Sequence, residues 1–208
     1  MKNLVIVFIG FCFSCTSNES STSNNLNLDK ISQSRSLYER YCLESFWKGY
    51  DTLNLKKITD FKNSLMCFRS IPIKFFEMKQ LRNVELDTEV NMDTLQSNIS
   101  NLVFLETLII TKSNLKNLPK EIGTLKRLRK LTIAWGRSLV EVPPEIGNLT
   151  NLEELDLFRN NLTNLPKEIS NLKKLKLLKL GENNFSDFER NKIVKALPNC
   201  KIYFDYLP

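Results

Sequence analysis

The segment NLTNLEELDLFRNNLTNLPKEIS, Asn148 to Ser170, runs directly into NLKKLKLLKLGENNFSDF from Asn171. Leu152, Leu155, Leu157, Asn160 and Leu162 of the first stretch return 23 residues later as Leu175, Leu178, Leu180, Asn183 and Phe185. Upstream, Leu128, Leu131 and Ile133 precede them by 24 residues, Leu105, Leu108 and Ile110 by a further 23, and Leu81, Val84 and Leu86 by 24 more. A second motif keeps the same beat: Leu118-Pro119 with Ile122 and Leu125, Val142-Pro143 with Ile146 and Leu149, Leu165-Pro166 with Ile169 and Leu172. A period of this length marks stacked units, each burying its apolar side only against its neighbours. Within LxxLxL alternate leucines point inward, so each unit contributes a short strand and successive strands line up as a parallel sheet.

The pattern LxxLxLxxNxL with its LPxxIxxL return resembles the leucine-rich repeats, and the resemblance covers about Ile71 to Phe204. It implies an α/β solenoid with a curved parallel sheet on the concave face and irregular or short helical segments on the convex side. The family's pattern also implies that the Asn after each strand satisfies backbone groups at the turn, as a ladder along the solenoid. Asn160 and Asn183 fill that position, whereas Glu89, Ser113 and Gly136 stand there in earlier units. The 24-residue spacing around Gly136-Arg137-Ser138 predicts a one-residue bulge.

In this register the third, fifth and seventh residues of LxxLxLxx project from the concave side. The columns read Asn83, Glu85, Asp87; Thr107, Ile109, Thr111; Lys130, Thr132, Ala134; Glu154, Asp156, Phe158; and Leu177, Lys179, Gly181. At the strand exit follow Thr88, Lys112, Trp135, Arg159 and Glu182. Aromatic residues and Arg dominate binding energy at interfaces. Ile109, Lys130, Thr132, Trp135, Glu154, Asp156, Phe158 and Arg159 therefore form the candidate partner-binding surface. A second reading of Trp135 folds it down over the irregular turn at Gly136 as packing.

A solenoid also needs covered ends. Residues 186–208 are expected to be a C-terminal cap: a helix over Ser186 to Ala196 with Phe188, Ile193, Val194 and Leu197 on one side, then a strand from Cys200 to Phe204. Residues 37–70 are expected to be a helical N-terminal cap filled by Tyr38, Tyr41, Cys42, Phe46 and Trp47, with repeats over 71–185 between the two.

Before the cap, Leu4 to Phe13 is ten residues long and apolar, half of the roughly 20 needed to span a bilayer, and it follows a single Lys2. Residues 1–14 read as a signal peptide. FCFSC resembles the lipobox of bacterial lipoproteins, which implies cleavage before Cys15 and lipid on its sulfur. Residues 16–36, TSNESSTSNNLNLDKISQSRS, carry too few large apolar side chains to offset ordering entropy and read as a tether. The expected location is the bacterial cell envelope, facing periplasm or outside, with the membrane contacted through the lipid. The alternatives are an unlipidated secreted chain and a cytosolic scaffold whose start only resembles a signal.

Composition excludes several activities. The 208 residues contain no His, which removes the usual general base and a common metal ligand, and no CxxC spacing suggests zinc. Cys42 and Cys67 could be joined or remain two free thiols, and Cys200 is expected to be buried and unpaired. The net charge is +7, yet Leu81 to Phe185 holds 15 Lys+Arg against 13 Asp+Glu, and no aromatic-interleaved basic groove accompanies the surplus. Nucleic acid is not an expected partner. Adjacent carboxylates such as Glu153 and Glu154 point to opposite strand faces and cannot flank one substrate atom. After Phe185 only the cap is expected, with no catalytic domain. The reading is a non-enzymatic binding module without cofactor or metal, whose partner is a protein, with polysaccharide second.

Overall fold

The computed structural model describes residues 5–8, 59–64, 71, 73–88 and 92–205. Eight strands lie side by side in chain order and all parallel: β1 (Val5–Phe8), β2 (Asp60–Ser64), β3 (Asn83–Asp87), β4 (Thr107–Thr111), β5 (Lys130–Ala134), β6 (Glu154–Asp156), β7 (Leu177–Lys179) and β8 (Lys201–Tyr203). From β2 onward the spacing is that of the repeat. Phe61, Val84, Leu108, Leu131, Leu155, Leu178 and Ile202 form one inward row across the sheet. Lys62, Glu85, Ile109, Thr132, Asp156, Lys179 and Tyr203 form the adjacent outward row. A strand in repeat register thus already occupies Asp60–Ser64, inside the span assigned to the N-terminal cap. Tyr38, Tyr41, Cys42, Phe46, Trp47 and Cys67 lie outside the described residues.

Among the described residues the other side is made by five 3-10 helices: η1 (Ile73–Glu77), η2 (Ser97–Asn101), η3 (Lys120–Thr124), η4 (Pro144–Asn148) and η5 (Lys167–Asn171). Pro119, Pro143 and Pro166 stand at the start of η3, η4 and η5 with φ of −68°, −69° and −62°. A prolyl ring fixes that φ and lacks the N–H that a helix start leaves without an internal partner. Each turn closes when the N–H of Leu125, Leu149 or Leu172 donates to the carbonyl of Ile122, Ile146 or Ile169. A Cβ on Gly123 would stand 2.4 Å from the Glu145 carbonyl oxygen, and one on Gly147 2.5 Å from that of Glu168. These two glycines let neighbouring return segments touch through their backbones.

The core between the two sides is one cluster running from Phe61 to Leu197, filled by the leucines and isoleucines of every repeat. At its first end Phe75 packs edge-on against Phe61 and Phe76, with ring centres 4.9 and 5.6 Å apart. The asparagine ladder forms where the residue is present. Asn160 Nδ2 donates to the carbonyls of Ile133 (2.7 Å) and Leu157 (3.0 Å), and Asn183 Nδ2 to those of Leu157 (2.9 Å) and Leu180 (3.0 Å). Each therefore ties its own strand to the preceding one.

At the last end, helix α1 (Asp187–Ala196) starts at Ser186, whose hydroxyl accepts from Glu189 N–H. Ile193 and Leu197 are buried, but Phe188 is 76% exposed and Val194 49%. The expected four-residue apolar side is thus reduced to Ile193 and Leu197 with half-buried Ala196 beside them. Helical geometry accounts for this, because at about 100° per residue Phe188 and Val194 sit far round the axis from Ile193. Cys200 is half-buried rather than buried, with no disulfide, and burial pushes its thiol up to about 11.

Candidate functional site

At four successive strand exits the backbone turns through the left-handed region: φ is 55° at Lys112, 65° at Trp135, 57° at Arg159 and 52° at Glu182. Glycine and asparagine enter this region readily; a Trp with its ring system is uncommon there. The turns are pinned by the sheet continuing past the strands. Lys112 N–H donates to the Ala134 carbonyl at 3.0 Å, Trp135 N–H to Phe158 at 3.0 Å and Arg159 N–H to Gly181 at 2.8 Å. The extra residue of the 24-residue unit appears where expected. Arg137 is also left-handed, with φ 56°, and its N–H donates to the Arg159 carbonyl at 3.0 Å. Gly136 is needed for closeness rather than for φ, since a Cβ there would stand 2.2 Å from the Ser113 carbonyl oxygen.

This frame brings Trp135, Phe158 and Arg159 together. The Trp135 and Phe158 rings lie 5.1 Å apart at 55°, and the Arg159 guanidinium carbon is 4.9 Å from the centre of the Trp135 ring. Arg159 Nε is in turn 3.0 Å from Glu182 Oε2. Asp156 fixes the approach to Phe158 by accepting its backbone N–H at 3.0 Å. A Cβ on Gly181 would stand 2.9 Å from Phe158 Cε2, so the absence of a side chain at Gly181 makes room for that ring. The tryptophan ring keeps two neighbours and is 44% exposed.

The charged residues of the set form a separate network one row further in. Lys130 pairs with Glu154 at 3.1 Å, while Lys179 bridges Glu154 at 3.6 Å and Asp156 at 3.2 Å. Further along the face Lys112 pairs with Asp87 at 2.9 Å and Lys62 with Glu85 at 2.7 Å. Thr132 departs from its expected role as a presented residue, being only 8% exposed. Its direct register partners are Ile109 and Asp156, and these longer side chains rise on both sides of a short hydroxyl. Ile109 is half-buried in that same row and is not part of the aromatic contacts. Cys15 lies outside the described residues.

Glu182, through its ion pair with Arg159, completes the site but was not among the candidate partner-binding residues. Glu182 is recoverable from the repeat, as it sits 23 residues after Arg159 in the strand-exit column. The bulge at Gly136-Arg137-Ser138 was legible from the 24-residue spacing, but not that Arg137 would be its left-handed residue. Away from this edge, the Glu153 carboxyl is held below its usual range by Lys176 first and Arg129 second. Among the described residues no group of three or more Cys, Asp or Glu is arranged to hold a metal ion.

Comparisons with known proteins agree on the architecture. The family model described as a leucine-rich repeat region matches residues 57–202. A leucine-rich-repeat protein of Leptospira interrogans is 35% identical with a TM-score of 0.67, over 72% of this chain and 38% of that one. The ectodomain of the Arabidopsis thaliana membrane receptor kinase GASSHO1/SCHENGEN3, solved with CASPARIAN STRIP INTEGRITY FACTOR 2, is 29% identical with a TM-score of 0.51, over 62% of this chain and 16% of the receptor. An internalin of Listeria monocytogenes, 20% identical over 73% of this chain and 42% of its own, shares the fold with a TM-score of 0.55. This chain thus spans well under half the length of each of these structures. No curated protein sequence matches it. With the family model matching most of its length and a bacterial relative matching at 35% identity, the chain belongs to the leucine-rich repeat family.

Proposed function

We propose that the chain is a non-enzymatic recognition module that grips a protein partner on the open face of its sheet, centred on Trp135, Phe158 and Arg159. The observation that carries this is Trp135 itself. A bulky residue is kept in a left-handed turn at a cost of roughly 1–2 kcal/mol, and its ring is spent on a half-exposed surface rather than in the core. Strain retained at an exposed aromatic is a mark of a functional position. The family's fold supplies protein-binding modules, and one structural neighbour is a plant membrane receptor kinase ectodomain solved in complex with CASPARIAN STRIP INTEGRITY FACTOR 2.

A photoreactive benzoylphenylalanine placed at Lys112, at the strand-exit edge, tests the reading against the same probe at Lys120 on the return side. A discrete crosslinked product from the Lys112 position, missing from Lys120 and lost on Trp135→Asn, is expected. Products from both positions, or a Lys112 product indifferent to Trp135→Asn, contradict it.

We further propose that the mature chain is a lipoprotein of the bacterial envelope, anchored at Cys15, on the strength of the sequence Leu4 to Cys15 and the tether that follows. Cleavage there removes β1 and leaves β2 as the first strand of the sheet. Intact mass of the membrane fraction decides this. A chain beginning at Cys15 with added acyl mass, lost in Cys15→Ser, is the expected result. A soluble chain beginning at Met1 instead favours a cytosolic scaffold.

A further inference from the structure

We infer that this surface takes an acidic peptide segment of the partner protein, setting an apolar side chain against the Trp135 and Phe158 rings and a carboxylate against Arg137. The inference rests on the reading of the aromatic pair as the contact surface and adds the chemistry of what meets it.

The charge balance of the face carries the inference. Asp87, Glu154, Asp156 and Glu182 each already face a cation of this chain: Lys112, Lys130 with Lys179, Lys179, and Arg159. A basic partner would find those carboxylates engaged. Arg137 is different. It is exposed at the same turn as Trp135, its backbone is fixed by the bond to the Arg159 carbonyl, and its guanidinium has no partner among the described residues. Trp135 and Arg137 therefore offer, two positions apart in one turn, an exposed apolar ring and an exposed guanidinium with no partner among the described residues. Guanidinium binds a carboxylate through paired N–H donors, and a tilted aromatic pair accepts a flat or branched apolar side chain. Charge complementarity therefore selects an acidic segment over a neutral or basic one.

The test is selection of a random displayed peptide library on the full chain, followed by affinity measurement of the best binder. Enriched peptides are expected to carry Asp or Glu within two positions of an aromatic or large aliphatic residue. Arg137→Gln should weaken binding about fivefold, the size of one exposed ion pair, and Arg137→Lys should restore part of it. Changing the peptide's acid to its amide should give the same loss, and the two changes together no further loss. Trp135→Asn should abolish binding.

Binders that need Trp135 but ignore Arg137→Gln overturn the acidic-segment inference and leave the recognition surface standing. Binders indifferent to Trp135 overturn both. No enrichment, or enrichment of peptides without Asp or Glu, also overturns the peptide inference.

Discussion

Trp135 and Asn160 sit 25 residues apart in sequence and respond to substitution in opposite ways. Asparagine accepts a left-handed backbone, so Trp135→Asn relieves roughly 1–2 kcal/mol of strain while giving up an aromatic contact with Phe158 worth about 0.5–1.5 kcal/mol. The two nearly offset, and the unfolding midpoint in urea is expected to stay within about 1 kcal/mol of the parent by that arithmetic. Asn160→Ala strands the buried carbonyl of Ile133, whereas that of Leu157 keeps the amide of Asn183. At about 1–3 kcal/mol for a buried group left unpaired, a loss of about 1–3 kcal/mol is expected from the same measurement. Cys200 gives a chemical readout. With its thiol pushed up to about 11, a variant in which Cys12, Cys15, Cys42 and Cys67 are serine should react with a disulfide reagent at mildly alkaline pH far more slowly folded than in denaturant. Equal rates would show that the thiol is not shielded. At this scale the sequence displayed Asn160 and Asn183 plainly, because one residue type does one job. It could not display the shading of Thr132, which depends on the length of the residues across the register.

The return segments depend on glycine for contact rather than for turning. Gly147→Ala drives a Cβ to 2.5 Å from the Glu168 carbonyl oxygen, and Gly123→Ala does the same against Glu145. Each is expected to cost about 1–3 kcal/mol, the usual price of overpacking, seen as a lower melting temperature. Strand entries carry a different device. Arg82 meets Glu106, while Arg129 and Lys176 both meet Glu153, so charge alternates from one repeat to the next. Because the Glu153 carboxyl is held below its usual value, its stabilising contribution is full at neutral pH and fades as acid brings the pH down through that lowered value. Glu153→Gln should therefore lower stability at neutral pH and make no difference in strong acid. The strands and the Pro-started 3-10 turns were legible from period and motif. Helix α1 was legible as an element but not in its facing, because Phe188 and Val194 are apolar residues that the packing leaves out.

From β2 to β8 every strand pairs with the next in the chain, so each of those contacts in the sheet spans about one repeat. Such an array is stabilised by neighbour-to-neighbour interfaces, and its middle has partners on both sides. Backbone amides of β4 to β6 are expected to exchange hydrogen more slowly than those of β8, and uniform protection would mean that the chain opens only as a whole. The sequence carried this architecture because the repeat states it several times over. The site was legible only as a column of residue types, since the pairing of Trp135 with Phe158 and the left-handed turn at Arg137 depend on backbone angles that no single residue announces.

The two aromatic rings belong to consecutive units, one on each side of the boundary between β5 and β6. Copies of the repeat could be gained or lost elsewhere along the chain, by duplication or deletion of a gene segment, and the rings would still meet. An insertion between Trp135 and Phe158 that added one whole unit would keep the repeat pattern and still pull the rings apart. Among otherwise interchangeable modules, that single joint is the one whose length descent cannot freely edit.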